Sequence, residues 1–197
     1  MMRKSMKKRG MTLLLLSLLL GIMACGDVQN EFTSMHCLVH FDNMIHSNAV
    51  LAGAMTSNSG IYVRITLTVK DGARCFLFEN NQGQSSISKL NAKDEKPPQI
   101  VGQNDGLIVG FCMLETPAVF YAFDAECPNC FNFDQMDFRS YRLQMSSSHI
   151  ATCNACKRKY DLGNGGMIIE GENGKKLIRY IANTTGPYGL LSVKSVN

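Results

Sequence analysis

The chain has 197 residues, with 20 basic and 16 acidic side chains, eight cysteines and no tryptophan. That length suits one domain with a substantial core. Five basic residues (Arg3, Lys4, Lys7, Lys8, Arg9) and no acidic ones precede position 25, so residues 25–197 carry 15 basic against 16 acidic side chains. The apparent basic character belongs to the N-terminus, and the remainder lacks the electrostatic footprint of a nucleic-acid-binding protein.

In chain order, the basic n-region is followed by an apolar run from Leu13 to Leu20, interrupted only by Ser17, and then by Gly21-Ile22-Met23-Ala24-Cys25. Basic, apolar and small-residue segments in that order predict a secretory signal. The apolar run is shorter than the roughly 20 residues needed to span a bilayer. A cysteine directly after a small residue resembles the lipobox of bacterial lipoproteins. The resemblance implies cleavage before Cys25, acylation of Cys25 and a lipid anchor in the cell envelope, at the outer membrane, on its periplasmic or surface side. The expected organisation is a signal peptide at 1–24, a lipidated tether at 25–36 and a single β domain at 37–197.

Within that domain, residues 43–55 predict one short helix, with Ser47 and Asn48 as cap candidates. Ser57-Asn58-Ser59-Gly60 reads as a turn. From Ile61 to Val69, apolar Ile61, Val63, Ile65, Leu67 and Val69 alternate with Tyr62, Arg64, Thr66 and Thr68, the period of a strand with one buried face. Asp71-Gly72 is a hairpin signal, returning through Arg74 to Glu79. Residues 80–99 are polar, include Pro97-Pro98 and read as a loop. Leu107–Met113, Ala118–Phe123, Tyr141–Met145, Met167–Glu170, Leu177–Ala182 and Leu190–Val193 read as short strands between glycine-rich turns. Such a series predicts an all-β sandwich or barrel with almost no further helix.

The chemistry-bearing residues are Cys127-Pro128-Asn129-Cys130 and Cys153-Asn154-Ala155-Cys156, with 22 residues between the two pairs. Each Cys-x-x-Cys turn brings two sulfurs about 3.5–4 Å apart, the spacing a tetrahedral ion with bonds of about 2.3 Å requires. Two such pairs predict a four-thiolate site made by Cys127, Cys130, Cys153 and Cys156. Disulfides are the alternative in an oxidising compartment. A thioredoxin-like redox pair at Cys127 and Cys130 would require a long helix starting at the first cysteine, and Phe131-Asn132-Phe133-Asp134 lacks helical period.

Tyr121-Ala122-Phe123-Asp124-Ala125-Glu126-Cys127-Pro128 resembles the first cluster-binding box of Rieske-type ferredoxin domains. Cys153-x-x-Cys156 with Tyr160-Asp161-Leu162-Gly163 and Gly165-Gly166 resembles the second. The resemblance covers about residues 100–195. It implies a Rieske-like β domain with a small rubredoxin- or zinc-ribbon-like subdomain at about 121–166. Rieske centres use two Cys and two His on a [2Fe–2S] cluster. Here Asn129 stands at the first histidine position, and Cys156 replaces the second. All four candidate ligands are thiolates, compatible with [2Fe–2S], a single iron or Zn2+.

His36, His40 and His46 lie near Cys37 but read as a polar stretch with one packed histidine. His149 is either a partner orienting a cysteine or a loop residue. Cys37, Cys75 and Cys112 read as small core residues, or as one disulfide plus a spare. No catalytic grammar is present. The sequence therefore supports three readings: an electron-transfer or redox-sensing iron–sulfur lipoprotein, a lipoprotein with structural zinc, or a disulfide-stapled binding or adhesion module. It names no protein or redox partner. The signal lacks an Arg-Arg pair, so it does not read as twin-arginine export of a folded, cofactor-loaded protein.

Overall fold

The computed structural model describes residues 31–134 and 139–196. The fold is all-β, with a curled half-barrel sheet and a smaller sheet beside it. Twelve strands are described: β1 (Leu38–Asp42), β2 (Tyr62–Lys70), β3 (Ala73–Asn80), β4 (Ser85–Lys89), β5 (Leu107–Phe111), β6 (Phe120–Asp124), β7 (Gln144–Met145), β8 (Ile150–Thr152), β9 (Lys159–Asp161), β10 (Met167–Glu170), β11 (Arg179–Thr184) and β12 (Leu190–Lys194). The large sheet runs β1-β12-β11-β6-β5-β2-β3-β4, and the small one runs β10-β9-β8-β7. All pairings are antiparallel.

The period-two pattern is present, but β2 is not buried on one face only. Tyr62, Val63 and Ile65 are all inaccessible, whereas Val69, near the hairpin end, is exposed. The large sheet separates two apolar clusters. Val63, Ile65, Leu107, Val109 and Ala122 enter one with Phe41, Phe76, Phe78, Leu191 and Val193. Tyr62, Ile108, Tyr121 and Phe123 enter the other, with Leu143, Ala151, Tyr160 and Leu162 from the smaller sheet and its flanks. Alternating residues thus serve two cores, and the central strands read as continuous apolar runs.

Two further expectations are corrected. The single helix over 43–55 is two helices, α1 (Asn43–His46) and α2 (Ala49–Ala54). Ser47 turns left-handed (φ 49°) and ends the first, and the Asn48 side chain accepts from Leu51 N at 3.0 Å and starts the second. A side-chain oxygen that satisfies an orphan N–H competes directly with helix continuation. The polar stretch 80–99 contains β4, which pairs with β3 from Cys75↔Lys89 to Glu79↔Ser85. Ser-Ser-Ile-Ser-Lys carries almost no apolar alternation, because an edge strand needs only its backbone ladder and one inward residue, Ser88, which accepts from Asn48 Nδ2 at 3.0 Å. The Asp71-Gly72 hairpin forms as expected, with both residues at positive φ.

The position of the small sheet matters for the site. β6 and β11 are neighbours in the large sheet (Phe123↔Arg179, Ala122↔Tyr180), yet β7–β10 and the first cysteine pair lie between them in sequence. The small sheet is therefore an insertion whose two ends leave adjacent strands.

Candidate metal centre

Each cysteine pair sits in a turn fixed by backbone bonds. After β6, Cys127 N donates to Tyr141 O (3.1 Å), and Leu143 N donates to Ala125 O (2.9 Å). Cys127 O then accepts from Cys130 N (3.1 Å) and Phe131 N (2.9 Å). The second pair forms the β8–β9 turn, where Cys153 N donates to Arg158 O (3.0 Å) and Cys153 O accepts from Lys157 N (2.9 Å). Lys157 closes that turn at φ 61°. The N–H groups of the chain after each first cysteine thus fold inward, and both sulfurs of a turn face one point.

The two turns meet. Cys127 Sγ lies 3.7 Å from Cys156 Sγ, and Cys153 Sγ lies 3.8 Å from Cys130 Sγ. All four sulfurs are within 4.8 Å of one another, and among the described residues this is the one group of three or more potential ligands close enough to hold a metal ion. Cys127 and Cys153 are buried, while Cys130 and Cys156 are half-buried. The seven described cysteines are free thiols, and the cross-turn separations far exceed a disulfide bond of about 2.05 Å. Among the described residues no helix starts at Cys127, where a thioredoxin-type site would need one.

Three neighbours hold this arrangement. The Tyr160 hydroxyl, fully buried on β9, lies 3.3 Å from Cys127 Sγ and accepts from Asn129 Nδ2 at 2.9 Å. Asn129 also donates to Lys175 O (2.8 Å) and accepts from Lys175 N (2.9 Å), clamping the segment after β10 onto the first turn. Gly174 lies against this amide, leaving no room for a Cβ. Arg158 hydrogen-bonds the Cys156 sulfur and is itself held by Glu172 O (2.9 Å) and Asn173 O (3.1 Å).

Two acids before the first turn are structural brackets. Buried Glu126 accepts from Asn104 Nδ2 (2.7 Å), Ser140 Oγ (2.6 Å) and Tyr141 N (2.5 Å), and Arg142 Nε stands 3.7 Å away. Asp124, fully inaccessible, accepts from Gln103 N (2.8 Å), Glu126 N (2.9 Å) and the Tyr180 hydroxyl (2.7 Å). Burial raises Asp124 above the usual carboxylate range despite those three donors.

The sulfurs titrate unequally. Burial pushes Cys127 up to about 11 against the opposing Tyr160 hydrogen bond, and burial with neighbouring thiols raises Cys130. Burial also acts upward on Cys156, but hydrogen bonds from the backbone and side chain of Arg158, and from Cys130 and Cys153, outweigh it and bring Cys156 down to about 6. Four clustered thiolates repel one another. A cation held by Cys127, Cys130, Cys153 and Cys156 would remove that repulsion and favour the thiolate form of each.

The other predicted residues lie elsewhere. Cys25 falls outside the described residues. His46 stacks on Phe41 and lies 2.9 Å from Asp94, which it meets without His36 or His40; it is the packed histidine of that stretch. His149 packs on Tyr62 rather than on a cysteine. Cys37, Cys75 and Cys112 are separately buried core thiols. Sequence reasoning missed Arg158 and the Asn129–Tyr160–Lys175 clamp. The available signal was a cation two residues and an aromatic four residues after Cys156, positions that the β8–β9 hairpin brings back over the sulfurs. No protein-family model, curated protein or solved structure matches the chain.

Proposed function

We propose that this chain is a non-catalytic envelope lipoprotein, anchored through lipid on Cys25, whose Cys127, Cys130, Cys153 and Cys156 hold one zinc ion as a structural staple. The mutual closeness of the four sulfurs carries this reading. Four bonds of about 2.3 Å in a tetrahedron set every sulfur–sulfur separation near 3.8 Å. The cross-turn separations are 3.7 and 3.8 Å, and no pair exceeds 4.8 Å. A [2Fe–2S] cluster places its two thiolate pairs on different irons, with cross-pair sulfurs beyond about 5 Å by the same bond lengths.

Further points agree. Four protein ligands leave no open coordination position, the condition of a structural rather than a catalytic site. Zinc can be acquired after export of an unfolded chain, whereas a cluster assembled in the cytoplasm would not survive threading. Arg158 offsets the negative charge that four thiolates leave on a divalent ion. The small sheet inserted between adjacent strands β6 and β11 suits a Rieske-like β domain with Cys130 one residue past the first histidine position and Cys156 at the second. With histidine gone, the high potential that histidine ligation confers has no basis here.

Elemental analysis and an absorbance spectrum of protein purified from its native envelope test the reading. About one zinc per chain and no visible absorbance are expected. Colour bleached by dithionite, or a metal-free protein with its four cysteines in disulfides, would overturn it.

A further inference from the structure

The described chain begins beside an apolar corner of the domain. The Arg179 guanidinium lies 5.0 Å above the Phe32 ring and 4.0 Å from the Tyr121 ring centroid. The Tyr121 hydroxyl donates to Glu115 Oε1 at 2.6 Å. One stack of side chains thus joins the chain start to the loop at 112–118. Backbone bonds fix the start as well: Thr33 N donates to Arg179 O (2.9 Å), and Val196 N donates to Thr33 O (3.0 Å).

That loop presents Met113 and Leu114, 46% and 69% exposed. Its base is held: Cys112 Sγ donates to Gly163 O (2.9 Å), Leu114 N donates to Cys112 Sγ (3.3 Å), and Cys112 N donates to Val119 O (2.8 Å). Ile169 of β10, half exposed, lines the same shallow depression of about 310 Å³ as Met113 and Leu114. The apolar tips therefore project from a braced surface.

The length of chain outside the structure selects what covers them. Only six residues, hence seven Cα-to-Cα steps, lie between Cys25 and Phe32. Fully extended, they span at most about 25 Å. Resting on the reading of Cys25 as lipidated, we propose that Met113, Leu114 and Ile169 dip into the interface of the bilayer that holds those acyl chains, so that the domain rests on the membrane by this corner. Apolar side chains enter the headgroup–acyl boundary by about 5–10 Å. A short tether supplies a high effective concentration, so a patch too small to bind vesicles by itself is enough to set orientation.

The absence of tryptophan makes the test direct. The full chain is made in bacteria as Leu114→Trp or Val69→Trp and reconstituted in phosphatidylethanolamine–phosphatidylglycerol vesicles with brominated acyl chains. Val69 is also 69% exposed but lies at the far end of β2, whose beginning pairs with the end of β5 (Tyr62↔Gly110) just before the loop. The tryptophan at 114 is expected to emit to the blue of the one at 69 and to be quenched by bromine, while that at 69 is quenched by aqueous iodide. Equal iodide quenching at both sites in a chain whose mass shows lipid on Cys25 would overturn the docking and leave the anchor standing. Blue emission at 114 without bromine quenching would also overturn it, since protein rather than lipid then covers the corner. An unmodified Cys25 in a chain that stays in the aqueous fraction would overturn the anchor and the docking with it.

Discussion

The two sheets of this domain hold together by different means. In the large one, β2 and β3 pair over eight residues each, and Phe41, Phe76 and Phe78 meet with ring centroids 5.3–5.9 Å apart under them. In the small one no strand exceeds four residues, and β10 leaves Met167 and Ile169 exposed on its outer side. Sheets of that size are marginal without packing or a cross-link. The small sheet has the packing, since it lies on the far face of the large one, and the proposed zinc would supply the cross-link where its cysteines bring the β8–β9 turn against the segment that leaves β6. On the zinc reading proposed above, burial stabilises the long strands and ligand bonds stabilise the short ones.

The sharpest way to break this contrast is Cys153→Ser. Structural zinc in small domains contributes roughly 10–16 kcal/mol of binding energy that is also folding energy. The variant is expected to lose its metal and the hydrogen-exchange protection of Ile150–Thr152 and Lys159–Asp161, while β2 and β3 stay protected. Equal loss across both sheets, measured by exchange with mass spectrometry, would show that they are one cooperative unit. The counterpart is Phe76→Ala, expected to cost about 3–5 kcal/mol in denaturant unfolding through transfer and cavity terms. Metal bound per folded chain should not change.

Arg158→Ala acts on the ligand-held side alone. Partners of metal ligands typically contribute 10–100-fold in affinity, so competition with a chromophoric chelator should show weaker metal binding of about that size, with little change in β2–β3 protection. The smallest effect is a pH slope that belongs to the join between the sheets. Burial raises Asp124 in the folded state, so the folded chain binds its proton more tightly than the unfolded chain. Its contribution to stability is then fully present below the ordinary carboxylate value and is lost as pH rises through the raised folded value. Asp124→Asn lacks that slope. Its deficit against the parent should be largest at low pH and narrow as pH rises; a deficit that widens would contradict the sign.

Much of the large sheet was legible because its strands alternate and its turns use residues with a special backbone role, as at Asp71-Gly72. What was hidden depended on distant partners. β4 is polar and exists because β3 offers it a ladder; β8 and β9 are three residues each and owe their form to the hairpin around Cys153. The break at Ser47 and Asn48 was visible as two cap candidates, but whether a cap wins over helix continuation depends on Ser86 and Ser88, which meet the Asn48 side chain from about 40 residues away. Burial on both faces of β2 could not be read from an alternation that looks amphipathic, since Tyr62 counts as half-polar until the small sheet covers it. The clustering of Cys127, Cys130, Cys153 and Cys156 was legible from spacing alone. The residues that support them were not, because Asn129 reaches Lys175 across a separation of 46 residues.

X-ray absorption at the metal edge of the natively purified protein measures the four-thiolate site itself. A zinc edge with four sulfurs at about 2.3 Å and no second metal nearby is the expected result. An iron edge with a metal–metal distance, or zinc with nitrogen or oxygen in place of one or more sulfurs, would contradict a closed single-ion site at Cys127, Cys130, Cys153 and Cys156.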